Sequence, residues 1–145
     1  MPKLMDMNVQ SSYLRGFRKI LLYGSCLDEK ILREFDGYAR LSCCLEEEHA
    51  NMVGFKLAGI LARGSYDEIA VLTVDGSLHC VQLHHVVEEV CKLVKNPPKR
   101  KHIILEEGKM VFVPESAVKI SRYLSRVSKL IENSQQHPNR LSADR

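Results

Sequence analysis

The segment Ile69-Ala70-Val71-Leu72-Thr73-Val74 constrains this chain more than any other. It is a short, almost unbroken apolar run with Asp67-Glu68 before it and Asp75-Gly76-Ser77 after it. A strand that is apolar on both faces belongs inside a parallel sheet with both faces covered. Parallel neighbours cannot be joined by a tight hairpin, so a helical crossover is needed on each side. The flanking sequence supplies them. From Glu46 to Ala62, Met52, Val53, Leu57, Ile60 and Leu61 recur at intervals of three and four, and Gly64 suits the C-cap. Leu78 to Val94 reads as a second helix.

The same alternation extends to both ends. Lys19 to Tyr23 is a buried strand stopping at Gly24-Ser25-Cys26, and Asp28 then caps a helix with Ile31, Leu32, Phe35 and Tyr38 in one stripe. Ala39 to Leu45 forms a further strand, with Cys43-Cys44 at its exit. His102 to Leu105 and Met110 to Val113 read as a strand and a short return across Glu107-Gly108. Pro114 opens a final helix with a stripe of Ala117, Ile120, Leu124, Val127 and Ile131, expected to pack on its own sheet, with a dimer as the other use. The pattern predicts an α/β fold. It has a single open parallel sheet of about four strands in the flavodoxin-like order 2-1-3-4, with helices on both faces. Gly54 and Ala58 are expected to bring their helix close to that sheet. One domain should span residues 1–133, with 134–145 a polar, frayed tail.

Composition limits the chemistry. No segment reaches the ~18–20 apolar residues that a membrane helix requires. The opening residues, with Lys3 and Asp6, lack the apolar core of a secretory signal. A cytoplasmic location is expected, where thiols stay reduced, and five cysteines make a poor disulfide framework. Residues 119–145 hold six Lys or Arg against two acids, a surplus read as a solvated face rather than a nucleic-acid contact.

In an open α/β sheet, ligands bind beyond the carboxyl ends of the strands. The first three strands here lead to Cys26, to Cys43 and Cys44, and to Cys80. In the order 2-1-3-4 these loops are neighbours, so four thiols converge although none belongs to a CxxC motif. Imidazoles of His49, His79 and His84 lie within the same segments, and His84 stands one helical turn beyond Cys80. Cys91, between Val90 and Leu93, reads as core packing. No glycine-rich dinucleotide fingerprint, P-loop or nucleophile elbow is present. As an alternative to ligation, Cys26 or Cys80 could act as a nucleophile with His79 or His84 as base.

Tyr23-Gly24-Ser25-Cys26 and Leu41-Ser42-Cys43-Cys44-Leu45-Glu46 resemble the small α/β subunit shared by nickel–iron hydrogenases and respiratory complex I. That family holds a four-iron cluster with a Cys-Cys pair, a Gly-Ser-Cys turn and a later cysteine. The order of the two motifs is reversed here, and Leu78-His79-Cys80-Val81 stands where the family has Gly-Cys-Pro. Val74 to His84 and Cys43 to Ala50 also resemble a group of short prokaryotic proteins described as ferredoxin-like. These resemblances imply a 4Fe-4S cluster on Cys26, Cys43, Cys44 and Cys80, with zinc as the other candidate. The expected function is a small metal or iron–sulfur protein that transfers electrons or assists a larger redox enzyme, with a redox protein as partner. The rival expectations are an enzyme or redox sensor using a reactive cysteine, and a non-catalytic interaction domain.

Overall fold

A computed structural model describes residues 1–135. Five strands form one mixed sheet in the order β2-β1-β3-β4-β5. The strands are β1 (Lys19–Gly24), β2 (Tyr38–Cys43), β3 (Glu68–Val74), β4 (Lys99–Glu106) and β5 (Lys109–Val113). β1 to β4 run parallel and β5 is antiparallel to β4. The expected all-parallel sheet of about four strands is therefore corrected by one edge strand. Its cause is local: Glu107 and Gly108 both have positive φ, 51° and 77°, as a two-residue hairpin turn matched to strand twist requires. β3 has five consecutive buried residues, Ile69 to Thr73, as its composition demands of a central strand.

The two faces are covered unequally. Ile20, Leu22, Ile69 and Val71 point to one face, where α2 (Ala50–Arg63) packs Val53, Leu57, Ile60 and Leu61. On the same face α3 (Leu78–Leu93) contributes Leu83, Val87, Val90 and Cys91. The N-terminal segment closes this core with fully buried Leu4 and, from α1 (Ser12–Arg15), Leu14. The opposite face, Leu21, Tyr23, Ala70, Leu72 and Ile103, packs Leu32 and Phe35. These two side chains come from a single 3₁₀ segment, Glu29–Phe35. Asp28 caps that segment as expected, through its carboxylate to the Lys30 amide at 3.0 Å. Tyr38 belongs to β2 rather than to the expected helical stripe, because Gly37 at φ 86° turns the chain before it. Helical segments thus lie on both faces, α-helices on one and a single 3₁₀ helix on the other.

The glycine at 54 serves a contact other than the expected one. A methyl group there would meet Val86 at 3.6 Å and Val90 at 3.8 Å, so the close approach is between α2 and α3, not onto the sheet. The final helix is also two helices, α4 (Glu115–Ile120) and α5 (Leu124–Gln135). Ser121 is the C-cap at the break: its hydroxyl donates to the Val118 carbonyl at 2.7 Å and also meets His85 Nε2 at 2.9 Å. Arg122 is drawn aside to Glu89 at 2.7 Å. Val118 is buried, whereas no residue of α5 is. Of the stripe expected to cover the sheet, only the α4 part approaches it. The tail expected over 134–145 lies outside the described residues from 136 onward, and Ser134 and Gln135 complete α5. Among the described residues no helix is long and apolar enough to cross a membrane.

Candidate functional site

β1 and β2 end in register, Gly24 opposite Cys43, and the Ser25 amide donates to the Cys43 carbonyl at 3.1 Å. That bond ties the Cys26 turn to the Cys43–Cys44 turn. β3 lies on the other side of β1, and its exit through Asp75-Gly76 reaches α3, where Ser77 caps the helix and accepts from the Cys80 amide at 3.4 Å. Gly76, at φ 87°, makes the turn between strand and helix. The consequence is one cavity of about 110 Å³ at the carboxyl edge of the sheet, lined by Cys26, Cys43, Cys44, His79, Cys80 and Thr73. All four thiols singled out from sequence therefore meet in one place.

They meet in different states. Cys26 is exposed, Cys44 and Cys80 are half-buried, and Cys43 is buried. The Cys43 thiol donates to Glu48 Oε2 at 3.4 Å. Burial pushes its pKa well above the ordinary thiol range, and the carboxylate of Glu48 and the neighbouring Cys44 push it further. Cys43 is thus held as the neutral thiol, and a bound cation would have to displace its proton. Cys80, third residue of α3, stands where the helix dipole favours negative charge. Among the described residues no three His, Cys, Asp or Glu side chains are already arranged to hold a metal ion.

The histidines divide. His79 lines the cavity, with Nδ1 3.4 Å from Glu46 Oε1. His49 is the exposed N-cap of α2 and is not among the residues lining the cavity. His84, expected to share a ligand face with Cys80, is 5% exposed and has both ring nitrogens engaged: Nε2 with Thr73 Oγ1 and Nδ1 with His102 Nδ1, each at 2.8 Å. Neither nitrogen is free to act as the base for a cysteine. Cys91 is 5% exposed within the α2–α3 core, as its helical neighbours imply.

His84 belongs to a buried polar chain that the sequence reading did not identify. From His102 Nε2 the chain continues to Glu88 Oε2 at 2.9 Å, and Arg100 bonds the same oxygen at 2.7 Å. Arg100 then reaches Glu115 at 2.7 Å. Two Nδ1 atoms at 2.8 Å cannot both carry a proton, so one histidine donates and the other accepts. Burial, with His102 and His85 adding to it, lowers the His84 pKa to about 3 and holds its ring neutral. No side-chain nitrogen or oxygen that is buried among the described residues lacks a partner. A signal for this chain existed in the sequence: His84 and Glu88 fall four apart on the helix face that also carries Leu83, Val87 and Cys91. A polar residue at a core position implies a buried partner.

Strand order, crossovers and a cavity at the carboxyl edge define a Rossmann-like α/β protein. The chain belongs to the Rossmann-like domain family whose model matches residues 19–144. No curated protein and no solved structure matches it.

Proposed function

We propose that this protein binds a thiolate-ligated centre, an iron–sulfur cluster or else zinc, in the cavity at the carboxyl edge of its sheet. One observation carries the reading: Cys26, Cys43, Cys44 and Cys80, from three separate strand exits, line a single cavity. The donor set fits soft-metal chemistry, since thiolates select zinc and iron–sulfur clusters over hard cations. A volume of about 110 Å³ exceeds the roughly 30 Å³ that one water occupies, so the space accommodates more than a solvent molecule. His79 is the imidazole that lines the same space.

A bound cluster would supply one-electron redox chemistry. The chain's own residues would hold it, keep it near solvent through the exposed Cys26, and tune it through the amides of the Cys26 turn and the α3 N-terminus. A cytoplasmic electron-transfer protein, or an accessory of a larger redox enzyme with a protein partner, is the role that follows. The flavodoxin-like strand order places the cavity beside the β1–β3 boundary, where that class of fold binds its cofactors.

The test is purification without oxygen, a visible spectrum, and assays of iron, sulfide and zinc on wild type and three variants. Bound metal is expected in the wild type, to fall sharply in Cys26→Ala and Cys80→Ala, and to persist in Cys91→Ala. A folded, functional wild type that is colourless and free of metal refutes the proposal.

A further inference from the structure

We propose that two copies of this chain pair by exchanging α5, each helix lying in the groove between α2 and α3 of the other copy. The inference is independent of the thiol site. It starts from a helix that has an apolar face and nothing against it. At 100° per residue, Leu124, Val127, Leu130 and Ile131 fall within an arc of about 120°. None of them is buried, and Leu124 is 79% exposed. Most of a helix's stability in a protein comes from packing such a face, and α5 has only twelve residues.

The complementary surface is on the same chain. A groove of about 590 Å³ runs between α2 and α3, with Ala50, Gly54 and Ala58 opposite Val86 and Val90. Phe55 and Leu93 border it and are 84% and 79% exposed. Small residues along α2 leave room for a third helix, and the fourteen residues of α2 offer a track longer than α5.

A second copy is the occupant that fits. Arg122, which lines the groove, is fixed to Glu89 at 2.7 Å, and Ser121 to His85 at 2.9 Å, so α5 departs from the wall of its own groove without burying any residue in it. A two-fold axis makes each docking occur twice, as an isologous pair requires. The four α5 side chains with Phe55 and Leu93, buried on both copies, amount to on the order of 1,300 Å². That lies within the range of about 1,200–2,000 Å² typical of stable interfaces.

Sedimentation velocity on the full chain tests this, with Ile131→Glu and Phe55→Glu as variants. Both side chains are exposed, so circular dichroism should report an unchanged fold. The wild type is expected at twice the chain mass and both variants at the chain mass. A photo-crosslinker in place of Leu130 should join two chains through peptides of α2 or α3. A monomeric wild type, a dimer that survives both substitutions, or a cross-link confined to a single chain would each overturn the proposal.

Discussion

Acid should destabilise this protein through His84 in particular. In the unfolded chain its imidazole takes a proton near pH 6.5, whereas in the folded protein burial holds the pKa at about 3. Between those values the unfolded state binds the additional proton, so stability is fully present above pH 6.5 and declines as pH falls towards 3. At 1.36 kcal/mol per pKa unit the whole shift corresponds to roughly 5 kcal/mol, comparable to the total stability of many domains. The slope contributed by this one group approaches 1.36 kcal/mol per pH unit in mid-range. His84→Gln removes the titration while keeping a polar group beside Thr73. At pH 7 the variant should be weaker by about 1–3 kcal/mol, because His102 Nδ1 loses its buried partner. Urea unfolding of both proteins at intervals from pH 7.5 to pH 4, followed by circular dichroism, provides the comparison. The two stability curves should converge as pH falls, since only the wild type carries the linked proton. Parallel curves would refute the claim that His84 is buried and neutral in the folded state.

Arg100→Ala leaves the Glu88 carboxylate, 4% exposed, without its guanidinium and should cost about 3–5 kcal/mol in urea unfolding, with Arg100→Lys recovering part of that; a loss below 1 kcal/mol would show that the pair is not buried as described. Timed alkylation read by mass spectrometry of the metal-free protein at pH 8 should modify exposed Cys26 first, with Cys43 and Cys91 last, because burial raises both of those thiols. Fast modification of Cys43 would contradict its bond to Glu48.

The linear pattern determined most of the sheet. An apolar run such as Ile69 to Thr73 belongs between two strands and under helices, so the α/β class followed from alternation, while 2-1-3-4 was one of the orders the crossover rules allow and only the tertiary structure settled it. The grouping of Cys26, Cys43, Cys44 and Cys80 was legible for the same reason, because parallel strands place their exits on one edge. Periodicity does not carry side-chain direction at long range. Whether His84 faces Cys80 or His102 depends on how α3 lies across β3 and β4, and the tertiary structure turned it towards His102. Likewise the stripe from Ala117 to Ile131 is continuous in sequence, yet Ser121 and Arg122 find partners on α3 and interrupt it. Hydrophobic pattern is local and reports burial; which polar groups meet inside the core is a non-local outcome, settled only when the elements pack.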